Sequence, residues 1–340
     1  MGGIAGMDTL LRFGPGAFRL LLALLVVASH LSSLAVGRPA VFAFFMLSGY
    51  WVLRMYEQKY RPVTTVPVFY LSRVLRIWLP FASAYLLVML VLSLTGTPRG
   101  AEYLQGLLVF GIASSGIDVL GVSWSLDIEM QFYLAVPLIW LLLQRRIPWA
   151  GLLGGVLLLT GLGWALLAGW GLWTFLAFLP CFAAGGLIWA WRSDPDPRLA
   201  GLSVMAFLGI GALLYLVPGT RSFVVSSEYA TALDDIFGMA WVMVLVPFVA
   251  WNVQQRSGAL DMHMGNFSYA LYITHWPVIA LVGPLLAPVS MIDKLVLLAV
   301  IGVVSVVFYA IVDRPMEGLR RRVVAAARAQ RPKRSSSSTE

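Results

Sequence analysis

Arg19 and His30 stand eleven positions apart within an otherwise apolar stretch, Phe18 to Val36. At 3.6 residues per turn, eleven positions make almost three whole turns. Both side chains therefore lie on one helix face, about 16 Å apart along the axis. The stretch is long enough to cross a bilayer as a helix. An arginine near the mouth of such a helix snorkels at little cost. A histidine roughly halfway through is expensive, and intramembrane ionisable groups usually line a cavity or pathway. The pair reads as one wall of a site, with a cation at the entrance and a proton acceptor at depth. The competing reading makes Arg19 a membrane anchor and His30 a hydrogen-bonded packing residue, and spacing alone does not choose.

Four further polar clusters interrupt the apolar pattern. Arg73 and Arg76, at i and i+3, share a face at the start of a span, where two guanidinium forks beside a helix N-terminus suit an anion. Simple anchoring also explains them, and taken alone it is the better account. Asp127 and Glu129 lie within Ser123–Tyr133; two positions apart, they point to different faces, so one of them looks readily into a bundle. Either serves to orient a histidine or as a helix-start acid favoured by the dipole. Ser268, Tyr272 and His275 form an i, i+4, i+7 stripe that should face the interior, with Pro277 kinking the helix and freeing a carbonyl beside His275. Asp313-Arg314-Pro315 reads as an ion pair or helix stop, and His263 as a solvated loop residue.

The elements that must hold these residues are membrane helices. Hydrophobic residues make up 60% of the chain and charged residues 12%, far from soluble averages, and the mean hydropathy is +0.84. Alternating strand patterns are absent, so a β-barrel is excluded. The expected fold is all-α: a polytopic transmembrane bundle of about ten spanning helices. The spans are placed at Phe18–Val36, Pro39–Met55, Leu75–Leu94, Ile128–Leu143, Ile147–Ala168, Leu172–Trp191, Leu199–Val217, Ile236–Asn252, Phe267–Leu286 and Leu295–Val312. Gly169-Trp170-Gly171 supplies the turn that divides the longest apolar run. The short, glycine- and serine-broken piece Tyr103–Ile117 is expected to be re-entrant or interfacial. Residues 1–17 form an N-terminal segment, 18–315 the membrane domain, and 316–340 a basic, serine-rich tail. This count places twenty of the 24 basic residues on one side and four (Arg38, Arg99, Arg221, Lys294) on the other. That bias puts both termini in the cytoplasm.

The net charge of +8 reflects this anchoring and the basic tail, which reads as an anionic-lipid contact. No folded soluble domain accompanies the basic run, so nucleic-acid binding has no support. One cysteine, Cys181, excludes an internal disulfide and a cysteine-based metal cluster. No metal is expected.

Read in order, the clusters resemble acyltransferase family 3, the integral-membrane O-acyltransferases that decorate bacterial surface glycans and related molecules. The marks are Arg19-x10-His30, Arg73-x-x-Arg76, Trp124-Ser125-Leu126-x-x-Glu129-x-Gln131-Phe132-Tyr133 and Ser268-Tyr269-x-x-Tyr272-x-x-His275-Trp276-Pro277, with Phe44–Tyr50 matching the family's second span. The resemblance implies transfer of an acyl group, often acetyl, from acyl-CoA to a hydroxyl. His30 would be the catalytic histidine, Arg19 its motif partner, Arg73 and Arg76 functional arginines, and Glu129 the motif carboxylate. Met130 and Asp313 depart from the residues common at their positions.

One scheme joins these readings. Arg73, Arg76 and Arg19 hold the phosphates of CoA at the cytoplasmic face of a bacterial inner membrane. The pantetheine arm delivers the thioester, and His30 takes the proton of the acceptor hydroxyl. Direct transfer and a transient acyl-histidine both fit. Glu129 or His275 orients the imidazole, and Trp124 or Tyr272 lines the acceptor side. The expected acceptor is a glycan, a glycolipid or a lipid-linked sugar, presented with polysaccharide synthesis or export proteins. Two other classes compete: a proton-coupled permease for a small anion, and a non-catalytic member of an export complex.

Overall fold

A computed structural model describes residues 13–61, 66–145, 147–225, 231–286 and 290–329, and among them the chain is a helical bundle with one isolated antiparallel bridge, Leu34 to Val225. The helices are α1 (Pro15–Leu31), α2 (Gly37–Met55), α3 (Val66–Leu94), the single turn α4 (Ile112–Ser115), α5 (Trp124–Leu143), α6 (Trp149–Trp170), α7 (Leu179–Ala190), α8 (Pro197–Leu216), α9 (Ala232–Met243), α10 (Val246–Asn252), α11 (Ala259–Leu286), α12 (Met291–Phe308) and α13 (Arg314–Ala329).

Local chemistry fixes many of their ends. Proline lies in the first two positions of α1, α7, α8 and α10, where a missing N–H costs nothing. Capping boxes open α9 (Thr231 with Asp234) and α12 (Ser290 with Asp293). α6 stops where expected: Gly171, at φ +65°, donates its N–H to the carbonyls of Leu166 and Leu167.

Among the described residues, six helices are long and apolar enough to cross a membrane: α3, α5, α6, α8, α11 and α12, the last running on into α13. A seventh crossing exists if α9 and α10, bent by 56°, count as one. The expected ten is not reached by length and composition. α1 ends at Leu31 rather than Val36, and the span expected at Leu172–Trp191 opens with a 3₁₀ turn, Phe175–Phe178, before the twelve-residue α7. The run Ile236–Asn252 breaks at Val244 and Leu245. The molecule is an all-helical, multi-pass membrane protein. Tyr103–Ile117 forms no spanning helix. It folds as a 3₁₀ segment (Ala101–Leu108) and α4, tied down where Ala113 N–H donates to buried Asp127 (3.0 Å) and the Tyr85 hydroxyl donates to the carbonyl of Tyr103 (2.7 Å).

Two helix pairs make the core. α1 packs on α11, and Asp261 of α11 accepts the N–H groups of Gly16 (3.0 Å) and Ala17 (2.8 Å), capping α1 from across the interface. α2 packs on α7 through reciprocal glycines. A Cβ on Gly49 would strike the carbonyl of Phe182, and one on Gly185 would strike that of Met46. Small residues allow such close backbone approach in membranes, where packing rather than water expulsion drives association. Phe45, Phe132, Phe178 and Phe182 interleave beside this contact, with Phe132 stacked on Phe182 at 4.2 Å. Leucines of α6 and α8 point outward, as lipid-facing helices require.

α13 lies across α3 with Val324 buried, so the boundary expected at residues 315 and 316 falls inside an element docked on the bundle. The rest of the expected tail, residues 330–340, lies outside the described residues. His263 is likewise not in a loop. It sits within α11, with Nδ1 3.0 Å from the Tyr309 hydroxyl.

These contacts predict an ordering of glycine-to-alanine effects. Gly16→Ala and Gly185→Ala should each lower the melting temperature by several degrees, a loss of about 1–3 kcal/mol for overpacking. Gly154→Ala on α6, where a Cβ meets only open space, should leave it unchanged or slightly higher. Thermal unfolding of the three variants in one detergent checks the ranking.

Candidate functional site

Among the described residues, two cavities lie along α1 and α2, one toward each end. The first, of about 340 Å³, lies at the end where α1 begins and α2 finishes. Its walls carry five cations (Arg19, Lys59, Arg73, Arg76 and Arg320) against a single carboxylate, Glu129. Arg73 is buried and its Nε has no hydrogen-bond partner among the described residues. Arg19 points at the same space, with its guanidinium 5.7 Å from the ring of Trp51. Arg76 is more engaged, 3.3 Å from Asn266 Oδ1 and 3.6 Å from carboxylate oxygens of both Asp313 and Glu317. Arg76 and Arg320 are partly neutralised by carboxylates behind the cavity wall, so Arg19 and Arg73, in a largely apolar setting, are the cations that would attract an anion most strongly.

Glu129 accepts from the hydroxyls of Ser48 and Tyr133, both at 2.5 Å. Asp127 points the other way and is equally inside. Fully buried, it accepts from Gln131 Nε2 (2.9 Å) and from the α4 backbone. The expectation that only one of the two looks into the bundle fails, because the folded 101–115 segment covers the second face.

The second cavity, about 740 Å³, opens at the other end of α1 and is lined by His30, Ser29, Arg38, Trp124, Tyr272 and Trp276, among others. His30 is the penultimate residue of α1 and exposed to this space, not held halfway along a span. The helix stops short because Ser32-Ser33 leads straight into the turn before α2. The His30 ring lies 4.7 Å from that of Trp276 and 5.4 Å from that of His275. Arg38 pairs with buried Asp235 through both ends of its fork and lies 4.6 Å over Trp124.

Tyr272 and Val41 line both cavities. The Tyr272 hydroxyl is 2.7 Å from Ser125 Oγ and 3.1 Å from the Val122 carbonyl, which ties α11 to the start of α5. Ser268, Tyr272 and His275 are all buried, as the stripe required.

The predicted residues therefore fall into two groups. Arg19, Arg73, Arg76 and Glu129 meet in the cationic cavity, whereas His30 and Trp124 meet in the other. Tyr272 stands between them, and His275 lies behind His30 without lining either. Glu129 bonds Ser48 and Tyr133 in the cavity that does not contain His30, so its position gives no support to a role in orienting that ring. Sequence reasoning missed Lys59 and Arg320. The signal for Arg320 was present: Glu317 precedes Arg320 and Arg321 by three and four positions, a helix-stabilising pattern. Arg320 also donates to Ser72 Oγ at 2.7 Å, which pins α13 beneath the cavity.

Comparison with known proteins bears on this arrangement. The family profile described as an acyltransferase domain matches residues 13–312, most of the chain and every named cavity residue except Arg320. The chain belongs to acyltransferase family 3. A curated relative, BcsY of Komagataeibacter xylinus, named as a membrane-bound transacylase, is 26% identical over 211 residues, covering 61% of this chain and 53% of the relative. The chain thus spans about half the length of that curated relative. No solved structure matches.

The charge imbalance predicts how the cationic cavity responds to change. Glu129→Gln removes its carboxylate and weakens two short hydrogen bonds, which should cost about 1 kcal/mol or more of stability. Added pyrophosphate should then raise the melting temperature of the variant by more than that of the parent. Equal shifts in both proteins would mean that the cations are already neutralised.

Proposed function

We propose that the protein is a membrane O-acyltransferase that moves an acyl group, acetyl in the simplest case, from a CoA thioester to a hydroxyl. The acceptor on this reading is a glycan or glycolipid presented at the far face of a bacterial inner membrane. The observation that carries the proposal is the pair of cavities meeting at Tyr272 and Val41, one built for an anion and the other presenting an imidazole. Membership of an acyltransferase family and the name of the K. xylinus relative, a membrane-bound transacylase, support the same chemistry.

The cationic cavity is the donor side. Arg19, Arg73 and Arg76 grip the phosphates of CoA, and Lys59 and Arg320 extend that surface toward the cytoplasm, where this reading also puts both termini, in keeping with the excess of basic residues on that side. The narrow pantetheine arm then reaches past Tyr272, and the thioester arrives beside His30. An unprotonated His30 removes the hydroxyl proton as the oxygen attacks the thioester carbonyl. The larger cavity, walled by Trp124 and Trp276 and holding the Arg38–Asp235 pair, receives the acceptor. The ten-pass topology belongs to this reading, with α1, α2, α7 and the bent α9–α10 pair as short or broken crossings.

His30→Ala should reduce acyl transfer more than a hundredfold while CoA binding and membrane insertion persist, as assayed with labelled acetyl-CoA and candidate acceptors. Wild-type turnover in that variant would end the proposal. Arg73→Gln and Arg76→Gln should each weaken CoA binding by roughly tenfold to a hundredfold, the loss of one charge-assisted hydrogen bond. Unchanged binding together with faulty insertion would return both arginines to anchoring. Anion uptake by proteoliposomes without thioester consumption would identify a permease instead.

A further inference from the structure

His275 is fully buried, yet one of its ring nitrogens has no partner among the described residues. Its Nδ1 lies 2.7 Å from the carbonyl oxygen of Tyr272 and 3.2 Å from that of Leu271. Carbonyl oxygens only accept, so Nδ1 must carry the hydrogen, and Nε2 is then a bare lone pair. A buried acceptor without a donor is rare and calls for a reason. The ionisable groups whose rings face it are His30 on α1, at 5.4 Å, and Tyr272 on its own helix, at 5.9 Å. The Tyr272 hydroxyl is already bonded to Ser125 and Val122. From α12, Ser305 meets Thr274 and brings no charge. That leaves His30, whose ring is exposed and free to turn.

We propose that His275 is a positioning residue for His30: its Nε2 accepts a hydrogen bond from a ring N–H of His30 and so directs the other nitrogen, lone pair outward, into the larger cavity. Two imidazoles joined at an ordinary N–H···N separation have ring centres roughly 5 Å apart, close to the distance here. The bond needs only a turn of the His30 ring, which is inclined 33° to that of His275. The inference rests on His30 acting as the base. During transfer the acceptor O–H breaks and its proton passes to the outward nitrogen of His30. The freed oxygen bonds the thioester carbonyl carbon, the C–S bond breaks, and the departing sulfur takes that proton to leave as a thiol. The inward N–H of His30 stays on Nε2 of His275 throughout. The backbone carbonyls on Nδ1 fix the tautomer that makes this one-way arrangement hold, a task that carboxylates perform for many other catalytic histidines.

Asparagine and glutamine divide the two halves of this ring. In His275→Asn the amide reaches the Nδ1 position and keeps the backbone bonds but leaves the Nε2 position empty. In His275→Gln the amide oxygen reaches the Nε2 position. The Asn variant should lose tenfold to a hundredfold in kcat with KM for acyl-CoA unchanged, and Gln should recover most of that loss. In wild-type protein labelled with ¹⁵N-histidine, three residues contribute, and His263, on the exposed part of α11, serves as reference. His275 should show the Nδ1–H tautomer and His30 a single tautomer that becomes mixed in the Asn variant. An unchanged kcat in His275→Asn, or a His30 signal indifferent to that substitution, would overturn the proposal. His30→Ala run alongside separates the two levels. If it stays active, the proposed base itself is wrong; if it is dead while His275→Asn is normal, only the positioning role falls.

Discussion

The contact on which the site depends is the parallel seating of α1 against α11, the start of each helix lying beside the start of the other. A carboxylate from α11 caps the backbone of α1, and Gly16 lies so close to the partner backbone that a Cβ there would strike the Asp261 carbonyl. That end fixes the height of one helix against the other, because N–H groups directed at a carboxylate tolerate little sliding. Once the register is set, Arg19 must lie beside the Asn266–Tyr269 turn of α11, and His30, almost three turns later, beside His275 and Trp276. The spacing of the Arg–His pair thus corresponds to a spacing on the facing helix, from Asn266 to His275. Moving α1 by one residue would rotate both side chains off the shared face.

Charge is the second constraint. Cations gathered in a low-dielectric setting repel one another, and each must be hydrated, paired or offered an anion. Arg76 and Arg320 solve this with Asp313 and Glu317, both presented by the chain segment that follows α12. Arg19 and Arg73 have no carboxylate within ion-pair distance among the described residues, and Glu129, the carboxylate on their cavity, is already bonded to two hydroxyls. Among the arginines the contrast is plain: Arg76 and Arg320 are held by protein carboxylates, whereas Arg19 and Arg73 are not, among the described residues. Asp313, which departs from the residue common at its place in the family pattern, therefore has work to do as a partner of Arg76.

Much of this was legible in the residues. Class, helicity, the interior-facing stripe on α11 and the turn at Gly171 all followed from hydropathy and periodicity, because those signals are local. The errors at span ends share one cause. Span ends were read from where apolar sequence stops, but α1 stops earlier, at Ser32, and α5 begins earlier, at Trp124, so that polar motif residues lie on helix termini facing cavities. Hydropathy cannot see a polar helix end that is sheltered by protein. Nor could it see that Asp127 would be covered by the 101–115 segment, or that Arg320 would fold back under α3, since both depend on contacts between residues distant in sequence.

The two residues that line both cavities bear on the proposed transfer, as against transport. A permease must pass its whole cargo through the midpoint, so it needs a site there that opens alternately to each side. Here the residues common to both cavities are Tyr272, its hydroxyl bonded to Ser125 and Val122, and the apolar Val41, and neither carries a charge. An anion passing from one cavity to the other would leave the five cations of the first for a single one, Arg38, that is already paired with Asp235. A long donor with its charge at one end and its reactive group at the other has no such difficulty. On the proposed reading the charged end of such a donor stays among the arginines, and only the acyl group needs to arrive at the imidazole.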